Sequence, residues 1–205
     1  MKDYAAFAQI PPPDIAGCVK RENVMDIGIR ELWPGIPRIA GPAFTVQCAA
    51  GDHLMLHAAI YEAAKGDILV VQGGDVDYAL AGGNVCAIAK ERGIAGMVID
   101  GAIRDVAEAR DLAFPVFARG VIPYPAGKKV FMPLNQPIIC GGAKVNDRDI
   151  IIADEEGIVV VPQADAEQVL LQAQASVQKE ADMSLAEWQA EHFAKVTAAV
   201  QKSKH

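Results

Sequence analysis

Four runs of consecutive aliphatic residues, each directly preceded by Gly or Asp, constrain the fold of this chain most strongly. They are ILVV at 68–71, MVI at 97–99, III at 150–152 and IVVV at 158–161. Runs of this length between turn residues are typical of β-strands that are buried on both faces. The chain therefore needs a sheet that other layers cover.

Helical patterns separate the strands in the first part of the chain. In the segment DHLMLHAAIYEAAK, for example, apolar residues recur at three and four positions. The predicted elements are, in chain order, a helix at 22–32, a strand at 44–48, a helix at 52–65, a strand at 67–74, a helix at 84–92, a strand at 96–100, a turn at 101, a helix from 105 and a strand at 115–118. This alternation predicts an α/β domain.

The pattern changes after Gly120, where several short strands are joined by turns without helices between them. We expect a second sheet or layer there. The remaining tail has two helix starts, with Asp165 and Ser184 as N-caps and Gln168 and Glu187 at the third position of each helix. The tail is long for the core it follows, so we expect it to pack on another subunit.

Composition bounds the class of protein. With 205 residues, 52% of them hydrophobic and 22% charged, the chain can form one compact domain. A net charge of −7 and the absence of a Lys and Arg cluster argue against nucleic acid as a partner. No apolar stretch approaches a membrane span and no signal peptide is evident, so we expect no membrane partner and a cytoplasmic location. Without a CxxC pair, the four cysteines are expected to be buried apolar groups.

The first candidate site is DGAIRD, where Asp100 ends a buried strand and Arg104 and Asp105 begin a helix. One interpretation is structural, because Asp105 and Glu108 form a capping-box pattern. The other is functional: an Arg beside a carboxylate can hold a carboxylated substrate and a hard cation together, with Asp100 supporting Arg104 or the waters of the metal. The local pattern alone does not decide between them.

The second candidate is the Gly-rich segment GGDVDYALAGGN at 73–84. Gly82 and Gly83 let the backbone approach a ligand closely, and the N–H groups of Asn84 and Val85 would point at an anion such as a carboxylate. The alternative is an ordinary connection with Asn84 as a plain N-cap. The segment contains no G-x-G-x-x-G, so it indicates neither a dinucleotide nor an S-adenosylmethionine site.

Two other groups of residues suggest chemistry less strongly. His53 and His57 lie four apart on one helix, but HLMLH lacks the Glu of the zinc motif H-E-x-x-H, which favours helix packing or capping. A Schiff-base aldolase needs a buried lysine. Lys65, Lys90, Lys128, Lys129 and Lys144 all fall at helix ends or in turns, where solvated lysines are ordinary.

The runs AGPAFTVQC, GDHLMLHAAI, GDILVVQGG, GGNVCAIAKERGIAGMVIDGAIRD and FPVFARG closely resemble the RraA-like family over about residues 24–162. This family includes 4-hydroxy-4-methyl-2-oxoglutarate/4-carboxy-4-hydroxy-2-oxoadipate aldolases and the regulator of ribonuclease E activity A. The resemblance implies a swivelling β/β/α three-layer sandwich, forming trimers or pairs of trimers with sites between subunits. The chain is then one domain at 1–205, with a core at 24–162 and a helical tail at 165–203.

The resemblance also implies roles for individual residues. Arg104 would bind substrate, Asp105 would bind Mg²⁺ or Mn²⁺, and the backbone N–H groups of Gly82, Gly83, Asn84 and Val85 would hold a pyruvate carboxylate. The aldolases commonly carry an acidic residue after the last loop glycine, where this chain has Asn84. They also receive an acidic residue from a neighbour's tail, a role that Glu180 could fill.

Two functions remain from these observations. The first is a class II aldolase that cleaves 4-hydroxy-2-oxo acids to pyruvate, with Asp100, Arg104 and Glu180 as catalytic residues and oxaloacetate decarboxylation as a second activity. The alternative is a non-catalytic regulator of an RNA-processing enzyme. The Arg–Asp pair favours the enzyme, whereas Asn84 favours the regulator slightly.

Overall fold

A computed structural model of the protein describes residues 4–204. The strands are β1 (Arg30–Glu31), β2 (Ile39–Gln47), β3 (Ile68–Gln72), β4 (Ala79–Ala81), β5 (Gly96–Ile103), β6 (Val116–Val121), β7 (Ile138–Cys140), β8 (Ala143–Val145), β9 (Ile150–Asp154) and β10 (Gly157–Val161). The helices are α1 (Pro12–Ala16), α2 (Leu54–Glu62), α3 (Gly83–Glu91), α4 (Val106–Asp111), α5 (Ala166–Ala181) and α6 (Leu185–Lys202). Short 3₁₀ turns occur at Tyr4–Gln9, Arg21–Asn23 and Gln163–Asp165.

The main sheet has the strand order β1-β6-β5-β3-β2-β9-β10, with β4 pairing beside β5 outside this path. Strands β2, β3, β5 and β6 are parallel, as expected for strands that are separated by helices. The ILVV and MVI runs lie side by side, with Val70 opposite Val98, and all seven of their side chains are buried. The prediction of strands covered on both faces is confirmed.

Strand β9 pairs antiparallel with β2, and β10 pairs antiparallel with β9; together they extend the sheet and separate two cores. Because successive side chains point to opposite faces, Ile151 and Val160 enter the main core while Ile150 and Val161 enter a second one. The second core also contains the 3₁₀ turn at Tyr4–Gln9, α1 and the first half of α5. Part of the predicted tail therefore packs on its own chain.

The segment between the first turn and β1 differs from its prediction. A helix was expected at 22–32, but only Arg21–Asn23 is a 3₁₀ turn and the segment then becomes extended. Val24 bridges Val159 at one edge of the sheet, and β1 pairs with β6 at the other edge. This segment nearly closes the sheet, and pairing at both ends outweighs its helical periodicity.

The remaining layers agree with the predicted α/β class and β/β/α architecture. Helices α2, α3 and α4 contribute Leu56, Cys86 and Ala109 to the main core. After Gly120 the β7–β8 hairpin and the β9–β10 pair are joined by turns without a helix, as expected. Among the four free cysteines, Cys48, Cys86 and Cys140 are buried and Cys18 is partly exposed.

The two tail helices begin differently. The predicted capping box of α6 is present, since Ser184 accepts the Glu187 N–H and the Glu187 carboxylate accepts the Ser184 N–H. The predicted cap of α5 is absent, because Asp165 belongs to a 3₁₀ turn and its side chain caps nothing. Helix α6 has no buried residue, so it stands away from both cores. Within residues 4–204, no helix combines the length and the apolar character that a membrane crossing requires.

Close backbone approach at Gly41 gives a test of the sheet. A Cβ at Gly41, in β2, would lie 2.5 Å from the Gly66 carbonyl oxygen, whereas a Cβ at Gly120, in β6, would meet no atom within 4 Å. Gly41→Ala should lower the free energy of unfolding by about 1–3 kcal/mol. Gly120→Ala should change it by no more than about 0.5 kcal/mol. Urea titrations measure both, and equal effects would contradict this packing.

Candidate active site

The two candidate segments meet because β4 and β5 are parallel neighbours. Ala81 pairs with Ile103, and the Arg104 N–H donates to the Ala81 carbonyl oxygen at 2.9 Å. Each segment leaves the carboxyl end of its strand, so Gly82 and Gly83 lie beside Arg104 and Asp105. The predicted turn at Gly101 is wrong, since β5 continues through it to Ile103 with an irregular register. Strand β4 was not predicted.

A cavity of about 530 Å³ lies at this junction. Its walls include all six residues that the sequence analysis assigned to substrate or metal: Gly82, Gly83, Asn84, Val85, Arg104 and Asp105. The other lining residues are His53, His57, Ala79, Leu80, Ala81, Pro125, Ala126 and Lys128. The segment at 125–128 reaches the site through bridges from Gly127 to Asp52 and from Pro125 to Ala79.

Asp105 does not form the predicted capping box. Its backbone is left-handed (φ 56°, ψ 39°), whereas a capping side chain needs an extended backbone, and no side-chain cap is made. Its Oδ2 instead accepts the Gly83 N–H at 3.1 Å and lies 3.4 Å from the Arg104 Nε. Within residues 4–204 no donor forms a hydrogen bond with its Oδ1. The carboxylate thus keeps a free oxygen beside the cavity.

The glycine pair permits this contact. A Cβ at Gly82 would lie 2.5 Å from Asp105 Oδ2 and 3.1 Å from Arg104 Cγ, so a side chain there would displace both residues. Helix α3 begins at Gly83 with Gly82 as its N-cap, so Asn84 is not the N-cap. The N–H groups of Asn84 and Val85 have no recorded acceptor in the described part of the chain. They remain available to an anion at the positive end of the helix.

Two histidines form one wall of the cavity. The His53 and His57 rings lie 4.1 Å apart, and the buried His53 Nδ1 and His57 Nε2 have no hydrogen-bond partner in residues 4–204. Burial lowers the pKa of His57 to about 4, with further lowering by His53 and Lys128. Burial also lowers the pKa of His53. Both rings are therefore neutral at pH 7. Their i, i+4 spacing places both on the wall of the cavity, in addition to any role in helix packing.

The donor set of this site suits a hard cation held mainly by water. No group of three or more His, Cys, Asp or Glu side chains that could hold a metal is assembled within residues 4–204. Mg²⁺ usually keeps several waters and binds through one or two carboxylates. Asp105, with its free Oδ1, fits that mode of binding.

Asp100 lies outside the cavity, and the expectation that it supports Arg104 is not met. Its Oδ1 binds the Arg119 Nε, and its Oδ2 accepts the Gly141 N–H at 2.7 Å. Arg119 also binds both carboxylate oxygens of Asp26 at 2.8 and 3.1 Å. These contacts raise the pKa of Arg119 and lower that of Asp26. Asp100 therefore ties β5 to β6 and to the β7–β8 turn.

Glu180 lies near the end of α5, in a cleft between the tail helices beside Trp188 and His192. It is absent from the cavity of its own chain. The prediction that it serves a neighbouring subunit stays a prediction.

A larger groove, of about 690 Å³, is lined by the segment at 18–23, by β8 and by α5. Its buried acid, Asp149, already accepts the N–H groups of Asn146 and Gln163. The smaller cavity is the better candidate, because it holds the free backbone donors, the free carboxylate oxygen and the unpartnered histidines.

Comparisons with known proteins identify the family of this chain. A family model described as RraA-like, Aldolase/RraA, matches residues 13–160. A Halalkalibacterium halodurans protein with the provisional name 4-hydroxy-4-methyl-2-oxoglutarate aldolase is 42% identical over 146 residues, covering 71% of this chain and 68% of that protein. A Burkholderia multivorans protein with the same provisional name is 35% identical over 151 residues, covering 70% and 92%.

Solved structures show the same fold. The structure of Streptomyces coelicolor RraAS2, described as an unusual member of the RNase ES inhibitor RraA protein family, matches with a TM-score of 0.77 at 28% identity, covering 86% of this chain and 92% of that one. The chain belongs to the RraA-like family. The family contains proteins named as aldolases and proteins described as RNA-processing inhibitors.

The neutral histidine wall predicts a pH dependence of stability. Folded His57 takes up a proton only near pH 4, whereas an unfolded histidine does so near its ordinary pKa of about 6.5. Between these values the unfolded chain binds more protons, so the free energy of unfolding should fall as the pH is lowered from about 6.5 toward 4. Above about pH 6.5, His57 is neutral in both the folded and the unfolded chain, so it no longer makes the free energy of unfolding depend on pH.

Urea titrations of wild type and His57→Gln across this range measure the contribution. We expect it to be about 1–2 kcal/mol after solvent screening. His192→Gln, at an exposed position on α6, is the control and should leave the pH slope unchanged. A His57→Gln slope equal to that of wild type would contradict the buried neutral imidazole.

Proposed function

We propose that this protein is a divalent-metal-dependent, class II aldolase that cleaves 4-hydroxy-2-oxo acids such as 4-hydroxy-4-methyl-2-oxoglutarate and releases pyruvate. Oxaloacetate decarboxylation is the second activity of the same site. The observation that carries the proposal is one cavity that combines the Asp105 carboxylate, the Arg104 guanidinium and the free N–H groups at the start of α3. Two proteins that carry the aldolase name support it.

The cavity matches the charges of a 2-oxo acid. The N–H groups of Asn84 and Val85 donate hydrogen bonds to the C1 carboxylate at the positive end of α3. Arg104, whose side chain is 43% exposed, keeps most of its donors free for the substrate because only its Nε lies near Asp105.

Asp105 is the residue that would hold Mg²⁺ or Mn²⁺. When bound there, the cation supplies a Lewis acid that favours negative charge on the 2-oxo oxygen. Arg104 acts in the same direction from its own side of the substrate. The Arg104 interaction is stronger in the transition state than in the bound substrate, so it contributes to the rate as well as to binding.

The cleavage requires three changes in the substrate. The C4 hydroxyl loses its proton, the C3–C4 bond breaks with its electron pair entering the enolate of pyruvate, and C3 is then protonated. Asn84 cannot accept the first proton because it is a neutral amide. A carboxylate is therefore needed as the base, and Glu180 of a neighbouring subunit is one candidate.

The alternative function is regulation of an RNA-processing enzyme without catalysis. It is favoured by Asn84 in place of an acidic residue and by the description of RraAS2 as a member of an inhibitor family. A fold alone does not decide between these functions. We favour the aldolase, because a purely regulatory surface does not need the left-handed backbone of Asp105 or its free carboxylate oxygen.

The central test is pyruvate release from 4-hydroxy-4-methyl-2-oxoglutarate and from oxaloacetate. We expect both activities to require Mg²⁺ or Mn²⁺ and to be lost in EDTA. Asp105→Asn should lower turnover at least about 100-fold, because the site loses its direct carboxylate. The variant should stay folded within about 0.5 kcal/mol, since Asn adopts the left-handed conformation as readily as Asp does.

A Schiff-base mechanism is the outcome that would contradict the metal assignment. Lys128 lines the cavity, but it is exposed and lacks the burial that activates a lysine nucleophile. Treatment with borohydride and pyruvate, followed by mass measurement, should show no adduct. An adduct with activity retained in EDTA would identify a class I aldolase. An inactive wild type in which Asp105→Asn changes nothing would favour the regulator.

Assembly is the second part of the proposal. Helix α6 carries Leu185, Trp188, Phe193, Val196 and Val200 on one face, and all five are exposed in the single chain. We expect a second copy of the chain to cover this face in a trimer or hexamer, which would also bring Glu180 to a neighbour's cavity.

Light scattering should detect the assembly in wild type and a smaller species in Phe193→Asp. Gln201→Asp, on the opposite side of α6, carries the same new charge and should leave the assembly intact. A fully active monomer would remove Glu180 from the site.

A further inference from the structure

A strap at residues 125–130 contributes Pro125, Ala126 and Lys128 to the wall of the cavity. The strap belongs to no helix or named strand, so bonds to other segments must hold it in place. On one side, the Ala126 N–H donates to the Ala79 carbonyl oxygen at 3.1 Å, at the start of β4. On the other side, the strap lies against the residues that precede α2.

Asp52 holds that second side of the strap. Its Oδ2 accepts the Lys129 N–H at 2.5 Å and the Val130 N–H at 3.3 Å, and its Oδ1 accepts the Leu54 N–H at 2.9 Å. Asp52 is 4% exposed, and it forms no ion pair with a lysine or arginine among residues 4–204. Burial opposes its ionisation, but the three backbone N–H bonds outweigh burial and lower the pKa of Asp52. The buried anion therefore ties the strap to α2.

Lys128 lies between two anchored points of the strap. The Gly127 N–H donates to the Gly51 carbonyl oxygen at 2.7 Å, and Lys129 is held by Asp52. The Lys128 side chain has no ion pair or hydrogen bond within the described residues. Its charge adds to the burial that lowers the pKa of both histidines in the cavity wall, so the ammonium group lies near them. An unpaired cation at a fixed place on the wall is available to an anionic group of a ligand.

The strap and the start of α3 lie at opposite ends of β4. Pro125 bridges Ala79, the first residue of β4, whereas Gly82 directly follows its last residue, Ala81. At about 3.3 Å per residue, the two ends are about 10 Å apart. A diacid whose C1 carboxylate binds at the start of α3 can extend along β4 and bring its second carboxylate toward Lys128.

We infer that Asp52 is a positioning residue of this cavity: it holds the strap so that Lys128 binds the second carboxylate of a 2-oxo diacid, which makes the cavity select diacids over 2-oxo monoacids. Asp52 does not line the cavity and acts only through Lys128. The inference rests on the proposed function, in which the C1 carboxylate binds at the start of α3.

Isothermal titration with two probes in the presence of Mg²⁺ tests the inference without turnover. The probes are 2-oxoglutarate and 2-oxopentanoate, which has a methyl group in place of the second carboxylate. Neither probe has the C4 hydroxyl that cleavage requires. Wild type should bind 2-oxoglutarate at least about tenfold more tightly than 2-oxopentanoate, the size expected for a hydrogen bond between two charged groups.

Lys128→Met should reduce this preference to less than about threefold by weakening the binding of 2-oxoglutarate alone, because the charged hydrogen bond is lost. Lys129→Met is the matched control. It removes the same charge from the next residue, whose exposed side chain does not line the cavity, and it should keep the preference of wild type.

Asp52→Asn tests the positioning role. A single amide oxygen cannot accept from both the strap and α2, so the preference should fall by about threefold or more. In a Lys128→Met background the same substitution should change the preference no further, a coupling that a merely structural role would not produce. Asp52→Ser keeps a short acceptor for Leu54 but does not reach the strap, and it serves as a second variant should Asp52→Asn fail to fold.

Asp149→Asn is the control for loss of stability. Asp149 is also 4% exposed and accepts the backbone N–H groups of Asn146 and Gln163, but it does not line this cavity. Its substitution should lower the melting temperature, as Asp52→Asn does, and leave the preference for 2-oxoglutarate unchanged.

The outcomes separate this inference from the proposed function. Equal binding of the two probes by wild type, or an unchanged preference in Lys128→Met, would overturn the inference and leave the aldolase standing. An unchanged preference in both Asp52 variants would reduce Asp52 to a structural residue. If wild type neither binds 2-oxoglutarate nor releases pyruvate from 4-hydroxy-4-methyl-2-oxoglutarate, the proposed function is wrong as well.

Discussion

The parallel pairing of β4 with β5 is the constraint on which the candidate site depends. Ala81 opposite Ile103 brings two strand ends together, and the Arg104 N–H bond to the Ala81 carbonyl holds them in register. Without that pairing the glycine segment and the Arg–Asp pair would be two unrelated loops. With it, the N–H groups at the start of α3, which have no acceptors among the described residues, line the same cavity as the charged side chains of Arg104 and Asp105.

Backbone geometry then decides what those side chains can do. The left-handed conformation of Asp105 prevents its carboxylate from capping α4 and turns it toward Gly83 instead. Gly82 and Gly83 are required because any side chain there would displace a charged group. The site thus combines local backbone strain with absent side chains, and both leave acidic oxygens accessible to a ligand.

The cavity is electrostatically asymmetric. One end offers backbone N–H groups and a guanidinium, which favour a carboxylate, and the neighbouring end offers the Asp105 carboxylate, which favours a cation. The histidine wall stays neutral because burial opposes its protonation. A small molecule that carries a carboxylate and binds a metal satisfies both ends, whereas a polyanion such as nucleic acid would meet the acidic end unfavourably.

The sequence by itself determined the α/β class, the buried parallel strands and the two segments that line the candidate cavity, because these depend on local patterns. Continuous aliphatic runs such as ILVV can only be buried strands here, and GGN and RD stand where such strands end. The capping box of Ser184 and Glu187 was equally predictable, since all of its bonds lie within four residues.

Only the tertiary structure decided the rest, since those features depend on contacts between distant residues. The segment at 22–32 is not helical because it pairs with β10 and β6. Asp100 forms an ion pair with Arg119 and so lies outside the site. His53, His57 and Lys128 joined the site through packing of α2 and the segment at 125–128. Periodicity and spacing carry no information about such pairings, because each depends on where a second, remote backbone passes.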